Sequence, residues 1–187
     1  GENVLGEIEK SLRLEGTRKL PFSAIFTRPY VRYIPLGIAL AVFAQFSGIN
    51  VVFYYGPTLL EQVGFASGGA LSGMAVIGFF NMVFTLIAVA WVDKFGRKML
   101  LQIGTIGALV CLVSMGVMIG ASEPGLLLIV MICAFVAFFA FSLGPIKFIV
   151  ASEIFPTQVR AHAVSVVILS MWAADTLVGQ FFPLLAY

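Results

Sequence analysis

Apolar stretches recur along the chain near residues 33–56, 70–92, 99–121, 126–150 and 161–187, with short polar connections between them. Each supplies the ~20 residues that a helix needs to cross a ~30 Å hydrocarbon slab. No alternation of period two runs through them, and five spans are an odd number, so helices rather than a membrane barrel are predicted. The expected fold class is all-α: a polytopic membrane bundle of five transmembrane helices.

Residues 1–28 break this pattern. They carry mixed charge, with Val4, Leu5, Ile8 and Leu12 on one helical face and Glu9 four residues ahead of Arg13. A cytoplasmic linker with a short amphipathic helix is predicted there. Pro21 ends that helix, and Pro29 opens the bundle assigned to 29–187. Two spans contain breaks of their own. "SGIN" (Ser47 to Asn50) and "YYGP" (Tyr54 to Pro57) interrupt the first; Gly144-Pro145 interrupts the fourth, which Pro156 ends. A broken membrane helix frees backbone groups that only a polar cavity or a neighbouring helix can satisfy. In transporters such breaks mark substrate sites.

Composition names the solvent. Of 187 residues, 60% are hydrophobic and 11% charged, with mean hydropathy +1.05, whereas soluble domains carry about 25% charged residues. The charges then orient the spans. Lys10, Arg13, Arg18, Lys19, Arg28 and Arg32 precede the first; Lys94, Arg97 and Lys98 follow the second; Arg160 follows the fourth. The opposite connections hold only Glu61 and Glu123, so the basic side is cytoplasmic. Of the 11 Lys and Arg residues, Lys147 alone breaks the rule, because it lies inside the fourth span. The net charge of +2 reflects topology and points to no nucleic-acid partner. The amino end lacks the apolar core and cleavage site of a signal peptide. With no initiator Met, and an apolar run still open at Tyr187, a piece of a larger multi-pass protein of the plasma (cell inner) membrane is expected.

Polar side chains within the slab are costly and must face protein or water. They include Gln45, Ser47, Asn50, Asn81, Thr85, Lys147, Asp175 and Gln180, with Tyr54, Tyr55 and Trp172 as amphipathic additions. Carboxamides offer both a donor and an acceptor, which suits a neutral hydroxyl-rich ligand; the same groups serve equally as interhelical glue. Gln45 and Asn50 stand about 140° apart on an ideal helix, so they converge only where Gly48 distorts it. Counting 1.5 Å per residue puts Lys147 about 13 Å closer to the cytoplasm than Asp175. That gap disfavours a salt bridge and predicts that Lys147 snorkels toward the cytoplasmic vestibule. Cys111 and Cys133 lie in spans and read as small hydrophobes. With one histidine, His162, and no phosphate loop, nucleophile elbow or metal-ligand spacing, no enzyme, metal or cofactor is expected.

Taken together, the segments resemble one family. "AQFSGINVVFYYGP" (Ala44 to Pro57) resembles the seventh-helix signature of the sugar porters, within the major facilitator superfamily. "DKFGRK" (Asp93 to Lys98) is similar to their charged loop between helices eight and nine. "GPIKF" followed by "SEIFPTQVR" is similar to the tenth helix and the acidic-to-Arg motif after it. The resemblance implies a C-terminal half comprising helices seven to eleven, with the amino-terminal half as its partner.

It also implies a site. Gln45, Asn50 and Asn81 match carboxamides that bond sugar hydroxyls; Tyr54, Gly144 and Trp172 match residues around the pocket, and Phe148 stands where tryptophan is usual. Further departures are Ala44 for a second glutamine, Lys147 for proline, Met171 for Asn or Gln, and Asp175 for Asn. Asp93, Arg97, Glu153 and Arg160 match a cytoplasmic gate of ion pairs between the two halves. The function implied is transport of a monosaccharide or related polyol by alternating access, either facilitated or coupled to a proton. A major-facilitator carrier of an organic acid or drug, kept open by Lys147 and Asp175, and a non-transporting sugar sensor are the alternatives.

Overall fold

The computed structural model describes residues 20–62, 67–120 and 126–186; the amphipathic helix predicted before residue 20 lies outside them. Two 3-10 turns, Phe22–Phe26 and Tyr30–Arg32, lead into the helices. These are α1 (Ile34–Phe46), α2 (Ile49–Gln62), α3 (Ser67–Phe95), α4 (Arg97–Gly120), α5 (Leu126–Phe141), α6 (Leu143–Glu153) and α7 (Thr157–Ala186). Among the described residues, five segments are long and apolar enough to cross a bilayer: Tyr30–Thr58, Ser72–Phe95, Arg97–Gly120, Leu127–Glu153 and Thr157–Leu184. α1 with α2 makes the first span and α5 with α6 the fourth. The five-helix membrane bundle expected from the apolar pattern therefore forms. Its outer surface is apolar, as hydrocarbon requires: Leu36, Val110, Val117, Leu169 and Leu184 are all more than half exposed.

The breaks fall where the backbone can bear them. Between α1 and α2, Gly48 takes φ +82°, a left-handed value that a Cβ would oppose. "YYGP" does not interrupt the chain, because α2 runs through Pro57. Proline there forfeits one intrahelical bond, but unwinding further would leave more polar groups unsatisfied in hydrocarbon. In the fourth span the break sits at Ser142 (φ −131°, ψ −85°) rather than at Gly144-Pro145. Pro145 lies in the first turn of α6, where N–H groups have no intrahelical partner, so proline costs nothing there. Gly96, at φ +78°, caps α3 by donating to Val92 O over 3.0 Å and turns the chain directly into α4.

Small residues set the packing, since hydrocarbon gives helices no hydrophobic reason to associate. Gly104 of α4 leaves the space that Ser142 and the carbonyl of Phe138 occupy, and Gly107 leaves room for the Phe138 ring. Gly37 of α1 meets α7: a Cβ there would come 2.9 Å from Val167 Cγ2. One apolar cluster joins α1, α6 and α7 through Ile34, Ala41, Ala151, Phe155, Val167 and Met171. A second centres on Phe135 and Phe139 of α5 and reaches Ala44, Ile49, Ile77 and Ala108.

Candidate functional site

The α1–α2 break positions the first group of candidates. Gln45 lies in the last turn of α1, fully enclosed at 3% exposure, and among the described residues its buried Oε1 has no hydrogen-bond partner. Asn50 and Tyr54, one turn apart at the start of α2, both reach across to α7. Asn50 Nδ2 donates to Asp175 Oδ1, and the Tyr54 hydroxyl donates to Asp175 Oδ2 over 3.0 Å. Tyr55 adds a third tie, donating to Gly179 O over 3.0 Å. Gly48, at φ +82°, breaks the ideal helix between Gln45 and Asn50.

α7 contributes Asp175, buried, and Trp172 three residues before it, with more than half its surface exposed. On α6, Gly144 lies in the first turn, a Cβ there meeting Phe139 O at 3.4 Å. Phe148 follows one turn later, close to half exposed. Asn81 is half-buried on α3; its backbone carbonyl accepts from Thr85 Oγ1 over 2.7 Å, a bond internal to that helix.

Lys147 is 9% exposed, so it does not snorkel to the cytoplasmic vestibule. Its ammonium lies 5.1 Å from the Phe148 ring centroid and 5.6 Å from that of Phe139, which precedes the Ser142 break. Two aromatic faces therefore hold the charge within the bundle. No Lys147–Asp175 salt bridge forms within 4 Å, as the rise count predicts. Counting from the helix ends overstates their difference in depth: Gly37 lies against Val167 as well as Phe155, and Asp175 and Lys147 each stand eight residues outward from these.

At the cytoplasmic end, Arg97 joins both acids. Its Nη2 lies 2.6 Å from Glu153 Oε1, and its Nη1 lies 3.2 Å from Asp93 Oδ1. Arg160 stands apart, with its Nε donating to Phe155 O over 3.2 Å. Asp93, Arg97 and Glu153 thus form one cluster that ties the α3–α4 turn to the end of α6 within this chain, and Arg160 braces the α6–α7 turn.

A cavity of about 1160 Å³ opens beside the α1–α2 break, lined by Phe46, Ser47, Gly48, Leu112, Ile132 and Phe181 among others. None of the carboxamides lines it, so its apolar wall offers little to a hydroxyl-rich ligand. Sequence reasoning missed two positions. Ser142, which makes the α5–α6 break, carries no signal beyond preceding Gly144-Pro145. Tyr55 was noted only as amphipathic, and its tie to Gly179 depends on a contact 124 residues away.

A model of the family described as "Sugar (and other) transporter" matches residues 5–187. The chain is similar to the arabinose-proton symporter of Bacillus subtilis (strain 168), with 36% identity over 190 residues, covering 99% of this chain and 40% of that protein. It is equally similar to the D-xylose-proton symporter of Escherichia coli (strain K12), with 36% identity over 182 residues, covering 96% of this chain and 36% of that one. A crystal structure of a D-xylose-proton symporter superposes with TM-score 0.77 at 34% identity, over 97% of this chain and 39% of that chain. The xylose transporter XylE from E. coli, in an inward-open conformation, superposes with TM-score 0.73 at 35% identity, over 86% and 34%. The chain thus spans 36% to 40% of the length of these curated relatives.

Proposed function

The chain belongs to the sugar porter family of the major facilitator superfamily, and from that premise we propose that it supplies the C-terminal part of a secondary transporter for a monosaccharide or related polyol. The observation that carries this reading is the set of polar side chains at the α1–α2 break. Gln45 presents a buried acceptor with no partner among the described residues. A buried acceptor left unpaired costs ~1–3 kcal/mol, which a ligand hydroxyl recovers by donating to it. Asn50 spends one donor on Asp175 and keeps its carbonyl oxygen for a ligand. Trp172 and Phe148 expose aromatic faces suited to the C–H surface of a sugar ring.

Movement follows from the break itself. α2 hangs from α1 at Gly48 and rests on α7 through hydrogen bonds from Asn50, Tyr54 and Tyr55. Polar ties to a discontinuous helix can be exchanged for ligand contacts without unpacking an apolar core, which suits rocking around a midplane site. The cytoplasmic cluster of Asp93, Arg97 and Glu153, with Arg160 beside it, is the candidate gate on the inner side. The remaining partner is the amino-terminal half, together with a coupled proton as in the arabinose- and xylose-proton symporters; the plasma (cell inner) membrane is the proposed location. The test is uptake of labelled sugars, set against organic anions, by proteoliposomes that hold the full-length protein.

A further inference from the structure

Three charged or amide side chains are buried where α1, α6 and α7 meet: Gln45 at 3%, Lys147 at 9% and Asp175 at 5% exposure. Their placement is regular. Ala41, Ala151 and Met171 belong to one apolar cluster between these helices. α1 and α7 run outward and α6 runs inward, so one turn outward from Ala41 is Gln45, from Ala151 is Lys147, and from Met171 is Asp175. Gly37 lies against both Val167 and Phe155, one turn inward from Ala41, Met171 and Ala151, so the three polar residues occupy a similar depth just beyond this apolar cluster. Both oxygens of Asp175 accept hydrogen bonds, from Asn50 and Tyr54.

The layer is balanced in charge and incomplete in hydrogen bonds. Lys147 contributes one positive charge and Asp175 one negative; α1 and α2 add no charge near them, since Glu61 lies at the far end of α2. Among the described residues, Lys147 makes no salt bridge or hydrogen bond, and Gln45 Oε1 has no partner. The group that completes such a layer must accept from an ammonium and donate to an amide oxygen. A hydroxyl does both without adding charge. A carboxylate or ammonium ligand would leave one uncompensated charge at membrane depth, where charges are costly.

We propose that Lys147 and Asp175 form a charge-balanced couple that restricts this transporter to neutral polyhydroxyl substrates, with Lys147 and Gln45 sharing one substrate hydroxyl. The proposal rests on the sugar-transport reading and names its selectivity. It predicts a switch. Without Asp175's charge, the remaining ammonium favours a sugar acid; without Lys147's charge, the remaining carboxylate favours a protonated amino sugar.

The experiment uses full-length protein in proteoliposomes and measures apparent affinities for D-xylose, D-glucuronate and D-glucosamine at a pH where the amine is protonated. The wild type is expected to favour xylose about tenfold or more over both charged sugars. Asp175→Asn should shift the glucuronate-to-xylose ratio toward glucuronate by about tenfold, and Lys147→Met should shift the glucosamine-to-xylose ratio likewise. Lys147→Met combined with Asp175→Asn removes both charges at once and should regain the neutral preference, so the proposal stays exposed even if a single variant fails to fold. Unchanged ratios in both singles would overturn it, as would a wild type or double variant that takes glucuronate as well as xylose. A wild type that takes none of the three sugars would instead sink the transport reading, and this inference with it.

Discussion

Gln45 is the residue on which the candidate site turns, because its buried Oε1 has no partner among the described residues. Gln45→Ala in the full-length protein should weaken sugar binding at least about tenfold, corresponding to the ~1–3 kcal/mol of a hydrogen bond left unmade. Affinity within twofold of wild type, measured by equilibrium binding with expression held constant, would make Gln45 interhelical glue. Asn50→Ala would read less cleanly, since Asn50 also holds Asp175. The polar residues themselves were legible in the sequence, because each stands out in an apolar run. Their partners were not: the Asn50–Asp175 bond joins positions 125 apart and depends on how the chain turns at Gly48. The burial of Lys147 was not legible for a related reason: the rings that hold it, Phe139 and Phe148, stand on different helices and converge only in the fold.

At the scale of the helices, the apolar pattern predicted five spans and five form. Where each span breaks was only partly legible. Gly48 was recognised correctly as a distortion point, because a left-handed φ there is open to glycine. Pro57 and Pro145 misled: proline marks a break only where its missing N–H was needed, and Pro145 sits where it was not. The close approach of α4 to α5 at Gly104 was invisible, because a glycine in an apolar run does not say which helix it faces. It has a consequence. Gly104→Leu should drive a side chain into Ser142 and the Phe138 carbonyl, costing roughly 1–3 kcal/mol as overpacking does. The melting temperature in detergent should fall accordingly, while Gly116→Leu, where a Cβ meets nothing within 4 Å, should leave it nearly unchanged. Equal effects at the two positions would contradict the packing described.

At the scale of the whole molecule, the cytoplasmic charges show what a motif can and cannot locate. Their presence at the helix ends was legible; their pairing was not, because side chains of four residues on one surface can join in several ways. Arg97 takes both Asp93 and Glu153, and Arg160 takes a carbonyl instead. Arg97→Ala and Glu153→Gln should therefore shift the inward–outward balance in the same direction, and the double variant should be no worse than Arg97→Ala alone. Arg160→Ala should add to Glu153→Gln, because the two side chains do not share a bond. Distances between spin labels on the cytoplasmic helix ends would report these shifts, and full additivity of the Arg97 and Glu153 effects would count against the shared cluster. The central claim, that this chain belongs to a carrier that moves a neutral sugar by exposing one site alternately to each side, is tested most directly by counterflow. Proteoliposomes holding the full-length protein are loaded with unlabelled D-xylose or L-arabinose and diluted into labelled sugar. The account predicts transient accumulation of label inside, abolished when the internal sugar is replaced by an organic anion. Binding without counterflow, or counterflow driven by the anion and not by the sugar, would contradict it.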